Sequence, residues 1–254
     1  MRVLLSDGAG VTGRQCATVL SEAGHTVEAL SPHPLCLCRF TRHVRKVHRV
    51  PSYGADPFAW LEAALAVYTR GRFDVLLPTQ EQVAVLSAVP DRLREAGIAT
   101  AVPPFDALAR LQDKLSAFAT LRELGLPQPV SSVITSPREL AAWQDFPLYL
   151  KMPIGTATAG VRRLDPTADL DGLPPSWIAA AQDGGLLAQA SVSGRLAMVQ
   201  SVFDHGRMVA FHANARVREG ARGGASHKRS LELPTVHDHM ALLGTRLSWH
   251  GALS

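Results

Sequence analysis

The sequence predicts an α/β protein, with a doubly wound parallel sheet in its first hundred residues and a mixed α+β region after it. Three observations carry this. Short apolar runs alternate with helical patterns as far as residue 102, which is the spacing that crossover connections of a parallel sheet require. Pro103-Pro104 then ends the alternation. Farther on, two long β-patterned runs flank Asp204-His-Gly206, the signature of an antiparallel hairpin. A chain of 254 residues that is 46% hydrophobic and 19% charged has ample material for one large or two medium cores.

The elements follow in order. Residues 2–6 form a strand, Gly8-Ala-Gly-Val-Thr-Gly13 a tight turn, residues 14–23 a helix stopped by Gly24, and residues 26–30 the next strand. The glycines match G-x-G-x-x-G, the turn of a dinucleotide site. Such a site also needs an acid at the tip of the second strand, but that strand ends Ala29-Leu30-Ser31-Pro32 with Glu28 inside it. The alternative is a turn that is simply tight, and an NAD(P) oxidoreductase therefore ranks last among the functional readings. Next come a strand at 46–50, a helix at 57–68 and a strand at 73–77. Thr79-Gln-Glu-Gln82 predicts a capping-box start to another helix, and 98–102 a last short strand.

Beyond the prolines, Asp113-Lys114 opens a helix that Gly125 closes, and residues 130–134 form a strand. Ser136-Pro-Arg-Glu139 starts a further helix with a cap, a first-turn proline and a capping glutamate. Strands at 186–189, 196–203 and 207–216 follow, then a Gly- and Arg-rich loop at 219–228 and a helix at 235–247.

Composition narrows the partners. A net charge of +4 and a pI near 9.2 suit anionic small molecules and nucleic acid alike. The basic run from Arg39 to Arg49 has only Phe40 for aromatic interleaving, so a solvated face is expected there and no nucleic-acid partner. Three cysteines, two of them at 36 and 38, provide neither a disulfide framework nor a four-ligand zinc pattern. With no signal-type segment and no membrane-length apolar run, a cytoplasmic protein without a membrane partner is expected.

The stretch Phe146-Pro-Leu-Tyr-Leu-Lys-Met-Pro-Ile-Gly-Thr-Ala-Thr-Ala-Gly-Val161 is the most informative. An apolar strand ends on Lys151, a small hydroxylated loop follows, and a second strand starts near Val161. A strand-end ammonium facing a loop of accessible amides suits a polyphosphate. No Gly-Lys-Ser/Thr closes the loop, so it is not the usual P-loop. An ordinary hairpin with an incidental lysine is the competing account.

Set in order, these pieces resemble an ATP-grasp protein. Asp113-Lys114, Gly125-Leu-Pro-Gln-Pro129, Phe146-Pro-Leu-Tyr-Leu-Lys151, the loop to Gly160-Val161, and Leu187-Ala-Gln189 with Gly194 beyond it come in that family's sequence. Gly223-Gly224 and Arg229-Ser230 are similar to the carboxylate–amine ligase and carbamoyl-phosphate synthase-like branch. The resemblance implies a Rossmann- or flavodoxin-like domain over 1–108 and an ATP-grasp domain over 109–254. Lys114 and Lys151 would contact the nucleotide phosphates, Gly155, Thr156, Thr158 and Gly160 would form the loop over them, and Gln189, Ala190 and Val192 would line the adenine. The ligands would be ATP or ADP and a small carboxylate substrate, with self-association as a further expectation. An intact enzyme of this kind would activate the carboxylate as an acyl phosphate and join it to an amine or similar nucleophile. Arg222, Lys228 and Arg229 would be candidates for that carboxylate or the acyl phosphate, with a solvated basic loop as the competing account.

The sequence departs from the family at Ala190, where a glutamate usually accepts from the adenine amino group, and at Arg195-Leu196, where a ribose contact is usual. The family's Mg²⁺ ligands, a Glu and a Glu-x-Asn, follow a segment like Trp249-His-Gly251, and the sequence stops at Ser254 before them. Mg²⁺ is thus expected of the family with no ligands for it here, and these 254 residues are expected to be inactive. A non-catalytic nucleotide-binding module or partner subunit is the alternative.

Overall fold

The computed structural model describes residues 1–155, 159–165, 173–220 and 225–254. They form two compact units. The first contains residues 1–105 with 202–206 and 248–253, and the second the greater part of 106–247.

In the first unit, β1 (Arg2–Leu5), α1 (Val11–Glu22), β2 (Thr26–Ser31), β3 (Lys46–Arg49), α2 (Pro57–Gly71) and β4 (Val75–Leu77) alternate, with a 3₁₀ turn at Leu37–Phe40. The strands lie in the order β3-β2-β1-β4 and every pairing is parallel. Both faces of this sheet are covered, which explains its near-continuous apolar strands. Leu4, Leu30 and Leu76 meet Trp60, Leu61 and Leu65 of α2 on one side. Val3, Leu5, Val27 and Ala29 meet Ala17 of α1 on the other. Each such buried Leu contributes about 1.5–3 kcal/mol relative to leaving it exposed. Helix α2 starts where it does because Asp56 accepts from the Phe58 and Ala59 amides at 3.0 and 2.9 Å, with Pro57 at the first position.

Two expectations fail in this unit. The capping box at Thr79 does not form: α3 (Val83–Ser87) starts after Gln82 with no side-chain cap. Thr79 is taken by tertiary contacts instead, its amide donating to Ser6 Oγ at 2.9 Å and its hydroxyl to the Asp7 carbonyl at 3.3 Å. Residues 98–102 are not a strand. A single bond from the Leu76 amide to the Ala99 carbonyl, 2.9 Å, holds them beside β4. Helix α4 (Pro90–Glu95) is an addition.

The second unit carries α5 (Phe105–Gln112) from Asp106 on, α6 (Lys114–Glu123), β5 (Ser131–Ile134), α7 (Pro137–Ala141), β6 (Leu148–Lys151), β7 (Val161–Leu164), α8 (Pro175–Gln182), β8 (Leu186–Ala190), β9 (Ala197–Asp204) as far as Ser201, β10 (Arg207–Glu219), β11 (Ala225–Leu231) and α9 (Pro234–Arg246). One sheet has the order β5-β8-β6-β7, all antiparallel. Its core face presents Ile134, Leu148, Leu150, Leu164, Leu186 and Ala188 to Leu140, Trp143, Trp177 and Ile178. The turn into β10 is a two-residue one, with His205 at φ 49° and Gly206 at φ 89°. Two positive φ values in succession match the right-handed twist of a hairpin. The expected loop at 219–228 is partly strand, because β11 pairs with β10 from Ala225 onward. The chain ends on β12 (Gly251–Leu253), part of the first unit.

Candidate functional site

The side chains that stand out chemically lie on the second face of the β5-β8-β6-β7 sheet. Strand β6 alternates buried and half-buried residues, so Leu148 and Leu150 enter the core while Tyr149 and Lys151 project the other way. Gln189 is registered opposite both Tyr149 and Ser131, which puts all three on that same face. The Lys151 ammonium donates to Gln189 Oε1 at 2.6 Å. Gln189 Nε2 donates to Ser131 Oγ at 3.0 Å, and the Ser131 hydroxyl to the Pro129 carbonyl at 2.8 Å. Each link fixes the next, so the ammonium is positioned by a relay anchored on backbone.

A second cation faces the same place. Asp113 caps α6 by accepting from the Leu115 and Ser116 amides, both at 2.8 Å. The cap sets the first turn, and with it Lys114, against the strand–loop connection. The Lys114 amide donates to the Pro153 carbonyl at 2.9 Å and its ammonium to the Gly155 carbonyl at 3.1 Å. Burial, and then the nearby charge of Lys114, lower the Lys151 pKa from the ordinary lysine value. The partners recorded for the two ammonium groups are an amide oxygen and a carbonyl, neither of them charged. Two adjacent cations without a described counter-ion make a site that favours an anion carrying more than one charge.

The connection from β6 to β7 is shaped by its glycines. A Cβ on Gly155 would stand 2.4 Å from the Ala159 carbonyl oxygen, so only glycine lets the two sides of the loop approach. Gly160 has φ 73° and its carbonyl accepts from the Met152 amide at 2.8 Å, which closes the loop base. Thr156 and Thr158 lie outside the described residues, as does Arg222.

The remaining candidates are placed as follows. The Ala190 amide donates to the Val130 carbonyl at 2.8 Å, at the exit of β8. Val192 follows with its side chain 68% exposed. Neither has a recorded contact with the lysines. Lys228 and Arg229 are exposed neighbours on β11, registered opposite Arg216 and Ala215, so they point to opposite faces. Ser131 and Tyr149 are the residues that motif reasoning missed. Period-2 alternation from Lys151 would have found Tyr149, but no local signal gives Ser131, which arrives by pairing 58 residues away.

The glycine-rich turn of the first unit is already occupied by the protein itself. Asp7 Oδ2 accepts from the Ala9 and Gly10 amides at 3.1 and 3.0 Å. A Cβ on Gly13 would stand 2.2 Å from the Asp7 carbonyl oxygen, so that glycine lets α1 approach the end of β1. At the carboxyl ends of β1, β2 and β4 lies a cavity of about 650 Å³ whose lining includes Asp7, His33, Tyr53, Trp60 and Glu81. Such crevices are where open α/β sheets bind ligands.

No family model and no curated protein matches the chain. Solved structures do. N5-carboxyaminoimidazole ribonucleotide synthetase from Thermotoga maritima aligns over 99% of this chain and 62% of its own, with 16% identity and a TM-score of 0.63. The biotin carboxylase domain of Hydrogenobacter thermophilus 2-oxoglutarate carboxylase, a dimer solved with MgADP, ADP and bicarbonate, aligns over 99% and 59%, with 15% identity and a TM-score of 0.71. L-amino acid ligase from Bacillus licheniformis aligns over 99% and 61%, with 13% identity and a TM-score of 0.65. The chain thus spans about three fifths of the length of these structures. None of its helices is long and apolar enough to cross a membrane, among the described residues. Over nearly its whole length the chain shares the fold of these three structures.

Proposed function

We propose that this chain binds ATP on the second unit and is an ATP-grasp ligase-like protein. The observation that carries the reading is the paired ammonium site: Lys151, held by Gln189, beside Lys114, with no charged partner for either among the described residues. The two cations hold the polyphosphate, the Gly155–Gly160 connection with Thr156 and Thr158 covers it, and the chain from Gln189 through Ala190 to Val192 lines the base. We read the chain as a domain over 1–108 that serves the substrate side and an ATP-grasp domain over 109–254. Asp7 and Glu81 in the first unit's cavity suit an amine-bearing substrate better than an anionic one.

In the whole protein, ATP would activate a small carboxylate as an acyl phosphate, and an amine or similar nucleophile would displace the phosphate. Lys114 and Lys151 would stabilise charge on the phosphoryl oxygens without reorganising. Mg²⁺ takes oxygen ligands, and the described residues present no cluster of carboxylate oxygens. Alanine at position 190 favours a second reading, in which the chain binds nucleotide without turning it over. Self-association and a cytoplasmic location belong to the same proposal.

The test is a calorimetric titration with ATP, with and without Mg²⁺, beside a Lys151→Ala control, while ADP release is followed. Saturable binding that the control loses supports the site, and ADP release decides between ligase and binding module. Equal heats for both proteins would remove the nucleotide reading.

A further inference from the structure

The first unit contains a second cluster, remote in kind from the lysine site because its donors are two imidazoles and one carboxylate. Asp204 and His205 sit at the β9–β10 turn, and His250 lies in the segment just before β12. All three belong to the first unit. One donor atom from each comes within 4.8 Å of the others. His205 Nδ1 is 2.9 Å from Asp204 Oδ1, and His250 Nδ1 is 3.8 Å from the same oxygen. A tetrahedral ion with bonds of about 2.0–2.1 Å needs its donors about 3.4 Å apart, so these separations straddle the required value.

Two further features point to a ligand. His250 Nδ1 is buried and has no hydrogen-bond partner, although it is aimed at a carboxylate just out of bonding reach. An ion between them would give the imidazole nitrogen the partner it lacks. The frame that carries the donors is also fixed. The Gly206 amide donates to the Trp249 carbonyl at 2.7 Å, tying the turn to the segment that bears His250. Gly251, at φ 91°, lets that segment approach the Ala101 carbonyl, which a Cβ would meet at 2.3 Å. The imidazole rings of His205 and His250 lie with centroids 4.2 Å apart and planes 28° from parallel.

We propose that Asp204, His205 and His250 form a binding site for a borderline divalent transition ion of the Zn²⁺ and Co²⁺ class. Two nitrogens and one oxygen suit such ions and not Mg²⁺, which demands oxygen ligands. Three protein donors leave a coordination position for water. An ion here would pin the β9–β10 turn to the segment before β12. This proposal is independent of the nucleotide reading.

The probes are Zn²⁺ alone, by calorimetry, and Co²⁺ alone, by its visible absorption, added to the tag-free full chain. One equivalent is expected to bind, with a rise in melting temperature, and excess Mg²⁺ should not displace it. His205→Asn is the decisive variant, because asparagine accepts the left-handed backbone of this turn before Gly206, so folding without metal is retained. Its affinity should fall at least about tenfold, and so should that of His250→Gln. Absence of one-equivalent binding to the unaltered chain, or wild-type affinity in either variant, would overturn the proposal.

Discussion

Lys151→Met separates a binding lysine from a structural one, because the two roles predict opposite outcomes. The substitution keeps the length of the side chain and removes its charge. In the ligand-free protein the ammonium is half-buried and repelled by Lys114, which is why its pKa is lowered. It is also held by a 2.6 Å bond to Gln189. Loss of that bond destabilises, while loss of a partly desolvated charge beside a like charge stabilises. Hydrogen bonds to charged groups are worth about 1.5–3 kcal/mol, and half exposure with two opposing effects leaves a net change within about 1 kcal/mol. The melting temperature should therefore move by no more than about 2–4 °C. With nucleotide bound, one of two phosphate contacts is lost and nothing offsets it. The same 1.5–3 kcal/mol then appears whole, as an affinity about 10- to 150-fold weaker. Calorimetry with ATP and thermal unfolding of the free protein measure the two quantities. Lys114→Met completes a double-mutant cycle: the single variants relieve one repulsion, so their summed stability gains should exceed that of the double variant by a few tenths to about 1 kcal/mol. A Lys151→Met protein that binds ATP normally but loses more than about 3 kcal/mol of stability would refute the reasoning.

The other predictions follow from the same geometry. A lowered Lys151 pKa in the free protein means that a bound polyphosphate raises it again, so binding at alkaline pH should take up protons and weaken as pH rises through the free-protein pKa. Titrations in buffers of different ionisation enthalpy would show this. Glu28 is buried and paired with Arg2 at 3.1 Å and His48 at 2.6 Å. Burial pushes its carboxyl up, but these partners together outweigh burial and hold it below the usual range. Its contribution to stability is accordingly present above the unfolded carboxylate pKa and lost as pH falls through the lower folded value. Glu28→Gln should cost about 1–3 kcal/mol at neutral pH, with a shallower acid limb in an unfolding series. Gly13→Ala should destabilise by about 1–3 kcal/mol without any change in nucleotide affinity, since its Cβ would strike the Asp7 backbone oxygen. A large loss of ATP binding in that variant would move the site to the first unit.

How much of this was legible beforehand can be argued from particular residues. Local chemistry announces itself in sequence. The Asp113-Lys114 start, the Ser136 cap, the glycine stops and the turn at Asp204-His-Gly206 all act within four residues of themselves, and all appear in the structure. The parallel sheet followed from the alternation of short apolar runs with helical patterns, because parallel strands need crossover connections. Lys151 and the glycine-bearing loop were visible for the same reason: a lone cation closing an apolar run is a local anomaly. The failures lie where a distant group outbid a local one. Thr79 looks like a helix cap, yet its hydroxyl and amide are engaged by Ser6 and Asp7, more than seventy residues away. Gly8 to Gly13, by contrast, matches a dinucleotide turn but lacks the acid such a site needs, and Asp7 holds its Ala9 and Gly10 amides. The sequence by itself determined most of the elements, the order of the two regions and the strand-end position of Lys151. Only the tertiary structure decided that Ser131, through Gln189, positions Lys151, and that Asp204, His205 and His250 meet. Strand register and chain return bring those groups together across 58 and 46 residues of separation, and no short-range pattern encodes such a meeting.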